Sequence, residues 1–139
     1  MGGIESEIVK KIELGNSFED KGDFNKALEV YFSALTDIEN AIVDKYKSEE
    51  ARWLISCICG VYFLKKEYLE AKKWALEIFK YNIPEYGTSE LIDLGVIYFE
   101  LEDKDNAFEC FSKAYARGKG RAFQGYNKKY FDFFKSYKK

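Results

Sequence analysis

Three stretches of 22 residues in this chain lie over one another without a gap: LGNSFEDKGDFNKALEVYFSAL (14–35), ICGVYFLKKEYLEAKKWALEIF (58–79) and LGVIYFELEDKDNAFECFSKAY (94–115). Gly15, Cys59 and Gly95 share one column, Phe18, Tyr62 and Tyr98 a second, and Ala27, Ala71 and Ala107 a third. Tyr31, Ala75 and Phe111 follow, then Ala34, Ile78 and Ala114. One shared column would constrain little. Five columns recurring three times point to a tandem array of similar units, each stacking on its neighbour.

The units read as helical. Ala27, Leu28, Tyr31, Phe32, Ala34 and Leu35 form one apolar stripe at helical spacing. A break as short as KGDF, joining that stripe to the one through Leu14 and Phe18, makes the two helices antiparallel. Glycine inside a helix costs about 1 kcal/mol relative to alanine. Gly15 and Gly95 are therefore read as points where two helices cross closely, and Cys59 is small enough to keep that role. Ala75 and Ile78 depart from their columns, with Trp74 beside them to supply the missing bulk.

Spacing between units is uneven, 44 residues from Gly15 to Cys59 and 36 from Cys59 to Gly95. The longer first unit, with no Gly or Pro in TDIENAIVDKYKSEEAR, predicts an overlong second helix over 25–46. Ser48 then caps the next helix, with Glu49 and Glu50 favourable in its first turn. NIPEYGTSE, which holds the single proline Pro84, ends a helix near Tyr81, and Thr88 or Ser89 caps the following one. The expectation is an all-α chain of seven helices in one domain, 1–139, with units at roughly 8–47, 52–84 and 88–118 and a last helix over 127–138.

The columns resemble the tetratricopeptide repeat, a unit of about 34 residues with L-G-x-x-Y in its first helix and A-x-x-x-F in its second. The likeness covers roughly residues 8 to 118; the first and third units match well and the second is degenerate. It implies an α-α superhelix whose concave face is lined by the first helix of each pair. The groove positions it implies are Val9, Ile12, Asn16 and Glu19, then Trp53, Ser56, Gly60 and Phe63, then Ser89, Ile92, Val96 and Phe99. Family members that grip the acidic C-terminal tails of chaperones use a clamp of Lys, Asn, Asn, Lys and Arg. The matching positions here are Ile12, Asn16, Cys57, Ser89 and Asp93, of which Asn16 alone fits, so that mode is disfavoured. The groove reads as apolar instead, suited to an amphipathic helix or an apolar peptide. The competing reading is that the protein's own ends cover part of it.

Chemistry has little to work with. The chain has no histidine, which removes the commonest general base and metal ligand. The three cysteines, Cys57, Cys59 and Cys110, suggest no disulfide framework, and Cys57 and Cys59 stand two apart on a helix, facing different ways. Carboxylates cluster in turns such as FEDKGD and ELEDKD, where water holds them. A non-enzyme with no metal and no cofactor is expected.

No apolar run approaches the roughly 20 residues of a membrane span, and Glu5 and Glu7 stand where a secretory leader needs a basic start and an apolar run. The opening MGGIES meets a loose acylation pattern, but no basic patch follows to give a second anchoring signal. A cytoplasmic protein without a membrane partner is expected.

Charge is uneven. Residues 1–50 carry 6 basic and 12 acidic side chains, net −6, whereas residues 117–139 carry 8 and 1, net +7. The basic end opens on GKGRAFQG, whose glycine spacing fits neither phosphate-loop pattern. Tyr130, Phe133, Phe134 and Tyr137 then fall at i, i+3, i+4 and i+7, the stripe of a helix that caps the last pair. Phe123 is expected to plug a gap beneath it. Lys119, Arg121, Lys128 and Lys129 are the candidates to meet an acidic partner. Basic residues interleaved with aromatics are also the footprint of nucleic-acid binding; the acidic whole and the packing role of the aromatics disfavour it. The leading expectation is an adaptor that binds another protein or peptide through its groove. An inhibitor or immunity-type protein that neutralises a toxin or enzyme, and an RNA-binding regulator using the basic tail, are the alternatives.

Overall fold

The repeat is visible in the backbone. The computed structural model describes residues 3–41, 44–83 and 87–138, with side chains from residue 6 onward. Their helices are α1 (Gly3–Asp20), α2 (Phe24–Ala41), α3 (Glu49–Leu64), α4 (Tyr68–Glu77), α5 (Ser89–Glu100), α6 (Lys104–Gly118) and α7 (Lys128–Ser136). Short 3₁₀ turns stand at Lys45–Lys47, Ile78–Lys80 and Lys119–Phe123, and no strand occurs among the described residues. The helices α1 with α2, α3 with α4 and α5 with α6 pack as antiparallel pairs. This is an all-α, helical-repeat-like architecture.

The turn inside each pair is built the same way. The Asp23, Glu67 and Asp103 N–H groups donate to the Phe18, Tyr62 and Tyr98 carbonyls, each at 2.9 Å. The residue just before each donor lies in the left-handed region: Gly22 at φ 79°, Lys66 at 62° and Glu102 at 65°. This is the Schellman closure, which satisfies the last carbonyls of a helix and reverses the chain. In the sequence only Gly22 announces it; Lys66 and Glu102 take the same geometry without glycine.

The chain divides into two compact units, Met1–Asn82 and Ile83–Lys139. In the first, both α1 and α2 pack on α3. Ile8, Ile12, Tyr31, Ile38, Leu54, Ile55 and Ile58 are fully buried there or nearly so. Gly15 lies under the Tyr31 ring: a methyl group on it would stand 2.3 Å from a ring carbon. Gly95 of the second unit lies under Phe111 in the same way, at 2.5 Å. Where the first column holds Cys59, the column of Tyr31 and Phe111 holds Ala75, and both are buried. Volume is traded across the helix pair, glycine with a ring or cysteine with alanine. Trp74 does not supply the missing bulk; its ring packs on Phe32 of α2 at 5.7 Å.

The overlong second helix is not found. The described part of α2 ends at Ala41, and Lys45–Lys47 form a separate 3₁₀ turn. Ile42 and Val43 lie outside the described residues, as do the Met1-Gly2 start and Pro84 to Tyr86. The physical cause is Asp44, whose carboxylate accepts from the Tyr46 N–H at 3.2 Å and starts the turn, while Tyr46 packs edge-on to Tyr81 at 4.9 Å. Ser48 caps α3 by accepting from the Ala51 N–H at 3.1 Å, with Glu49 and Glu50 in the first turn. Thr88 stands at the start of α5 without a side-chain cap bond.

In the second unit α7 is the expected cap, one turn shorter than 127–138. Its stripe meets α5 and α6: Phe133 packs on Phe99 at 5.1 Å, Phe134 on Tyr115 at 5.3 Å, and Tyr137 on Phe108 at 5.5 Å. Phe123 is buried beneath, stacked on Phe131 at 4.5 Å and tilted on Phe111 at 5.4 Å.

Candidate functional site

In the first unit the face in question is built by α1 and α3. Asn16 of α1 and Cys57 of α3 meet across it, with the thiol donating to Asn16 Oδ1 at 3.6 Å. Beneath them the Tyr31 hydroxyl donates to the same oxygen at 2.5 Å and has Glu19 Oε1 at 3.1 Å. Asn16 and Glu19 are thus held in place by the tyrosine whose ring covers Gly15. Burial pushes the Cys57 thiol up to about 11, so at neutral pH it is a neutral donor and not a nucleophile.

Along α3, Trp53 is exposed by 39%, and Ser56 beside it is exposed. Gly60 lies seven residues on, on the same face of the helix. An added methyl there would meet nothing within 4 Å. Unlike Gly15 and Gly95, Gly60 has no neighbour among the described residues that requires its smallness. Val9 and Phe63 are half-buried, and the Phe63 ring packs on Tyr68 at 5.4 Å. Ile12 is fully buried. It faces the core and lines no open surface, because it shares the inward side of α1 with Ile8, one helical turn away.

In the second unit the equivalent face of α5 is occupied by the chain's own C-terminal segment. Ile92 and Val96 are buried there and form core rather than groove. Phe99 lies edge-on to Tyr130 at 5.3 Å, with the Lys104 ammonium 3.6 Å from its ring centre. Ser89 is exposed, and its carbonyl accepts from the Tyr126 hydroxyl at 3.4 Å. The same hydroxyl lies 2.8 Å from Asp93 Oδ1. Burial pushes the Asp93 carboxyl up to about 6; the Tyr126 hydrogen bond offsets part of this and the neighbouring Glu90 charge adds to it. Sequence reasoning weighed Asp93 only as a clamp position and missed this latch, because nothing in the sequence brings Tyr126 back over α5.

Lys119, Arg121 and Lys128 are exposed, and the Lys119 ammonium lies 5.3 Å over the Tyr115 ring. Lys129 pairs with Glu100 at 3.1 Å, and Tyr130 donates to the same carboxylate at 2.9 Å. A second feature that sequence reasoning passed over is a row of exposed apolar residues beginning at Leu69 of α4. Its i, i+7 spacing was readable; its exposure was not.

Among the described residues no three His, Cys, Asp or Glu side chains come together as a metal site, and no helix is long and apolar enough to cross a membrane. Cys59 donates to the Ala71 carbonyl at 3.4 Å, away from Cys57, so the two thiols do face different ways. Comparison with protein-family models and with curated proteins returns no match for this chain.

Proposed function

We propose that the chain is a tetratricopeptide-type interaction module that binds another protein or peptide on the α1–α3 face of its first unit, without catalysis. The observation that carries this is Gly60. A glycine in the middle of a helix costs about 1 kcal/mol, and here no described residue comes within 4 Å of where a methyl would stand. A partner backbone that approaches α3 closely would. Trp53 stands ready on the same face as an aromatic anchor of the kind that dominates binding energy. Asn16 and Glu19 add fixed polar groups along α1. On the first unit, with Ile12 in the core, the proposed binding surface is Val9, Asn16, Glu19, Trp53, Ser56, Gly60 and Phe63. The absence of catalysis is supported by the thiols: burial pushes both Cys57 and Cys110 up to about 11.

The test is quantitative capture of partners from cell extract by the intact protein and by three variants. Trp53→Ala and Gly60→Arg are expected to lose the same specific partner. Glu29→Arg, an exposed change on α2, is expected to keep it. Equal recovery with all three, at unchanged melting temperature, would overturn the reading.

A further inference from the structure

We infer that the outer face of α4 is a second docking surface, and that its occupant is an acidic amphipathic helix of a partner protein. Leu69 is exposed by 70%, Leu76 by 44% and Phe79, in the 3₁₀ turn that continues α4, by 40%. They stand at i, i+7 and i+10, along one side of the helix.

The internal repeat shows what such a side is for. The columns of Leu69, Leu76 and Phe79 hold Asn25, Phe32 and Leu35 on α2. There Asn25 accepts from Lys65 at 3.1 Å, Phe32 packs on Trp74, and Leu35 is buried. On α6 the same columns hold Asp105, Ser112 and Tyr115. There the Tyr137 hydroxyl donates to Asp105, and Tyr115 packs on Phe134 at 5.3 Å. In both cases another helical element of the same unit sits on the column. On α4 the column is the most apolar of the three and is open to solvent, so a helix is the occupant its geometry fits.

Charge selects the kind of helix. Lys73 and Lys80 lie beside Leu69 and Leu76 at helical spacing, with Lys66 in the turn before α4, and all three are exposed. Lys80 pairs with Glu77 at 3.0 Å, and the Lys73 ammonium lies 5.4 Å from the Trp74 ring. Glu70 and Glu77 lie on the same flank as Lys73 and Lys80 but farther round from the leucine line. An apolar ridge flanked by ammonium groups favours a partner with leucine-like side chains in its stripe and carboxylates on its shoulders. An anionic membrane would offer similar chemistry, but residues 1–50 carry net −6 and would be repelled by it.

The experiment uses the full chain and two synthetic helical peptides of about 18 residues, long enough for several turns. Both carry the same leucine stripe; one has glutamates on its shoulders and the other lysines. Fluorescence anisotropy is expected to show the acidic peptide binding roughly tenfold tighter than its basic twin, and weaker as salt rises. Leu69→Ser with Leu76→Ser is expected to weaken it on the order of tenfold at an unchanged melting temperature. Trp53→Ala is expected to leave it unchanged, which keeps this surface distinct from the α1–α3 face. Several results would overturn the proposal: equal affinity for both peptides, binding to phosphatidylserine vesicles instead, or self-association abolished by the leucine variant. A lowered melting temperature of the leucine variant would also overturn it, because the chain itself would then cover the face.

Discussion

Gly15 and Gly60 look alike in the sequence, each a glycine inside a helix, and the structure gives them opposite meanings. A methyl group on Gly15 would meet the Tyr31 ring at 2.3 Å, whereas one on Gly60 would meet nothing within 4 Å. Gly15→Ala is therefore expected to destabilise the first unit by about 1–3 kcal/mol, through overpacking that outweighs the helix propensity of alanine. Gly60→Ala is expected to stabilise it by about 0.5–1 kcal/mol. Urea denaturation followed by helical circular dichroism measures both. If the two changes shift the midpoint in the same direction, the distinction between a packing glycine and an approach glycine fails.

At the scale of elements, the repeat is carried most faithfully by its turns. Gly22, Lys66 and Glu102 occupy one structural position with φ of 79°, 62° and 65°. A left-handed conformation costs a residue with a Cβ roughly 1–2 kcal/mol and costs glycine almost nothing. Glu102→Gly is therefore expected to raise the stability of the second unit by roughly 1 kcal/mol, and Gly22→Ala to lower that of the first by a similar amount. Thermal melts of the two single variants check this; a destabilised Glu102→Gly would mean that its exposed ion pair with Lys104, at 3.6 Å, matters more than the backbone. The helices themselves, the capping role of α7 and the burial of Phe123 were legible in the periodicity. What periodicity leaves open is which side of a helix another element covers. Ile12, Ile92 and Val96, groove positions that the family resemblance implies, lie inside, while Trp53 and Leu69 lie outside. The 3₁₀ turn at Lys45–Lys47 was hidden for a different reason: its cause is a single local bond from Asp44.

The molecule as a whole has an unusual titration. It has no histidine, and burial holds Cys57, Cys110 and Tyr81 far above neutrality. Among the described side chains with a resolved shift, Asp93 is the one that changes charge near pH 6. Its folded pKa is raised, so the folded state holds the proton more tightly than the unfolded chain. The stability it contributes is complete below about pH 4 and is lost as pH rises through about 6. The loss amounts to roughly 2–3 kcal/mol. Asp93→Asn keeps an acceptor for Tyr126 and carries no charge. It is expected to raise the melting temperature at pH 7.5 and to flatten the profile between pH 4 and 7. A variant that melts as the parent does at every pH would mean that the carboxyl is solvated and the latch weak.

The exchange of volume between Gly15 and Tyr31 in one pair, and between Cys59 and Ala75 in another, also bears on how such a chain can change over time. Neither position can drift alone. Cys59→Gly by itself opens a void, and Ala75→Tyr by itself forces a ring against the cysteine, yet the two together recreate the arrangement already present at Gly15 and Tyr31. Two sound sequences are thus separated by a valley that single substitutions must cross, so the order in which mutations arise decides which of them survive.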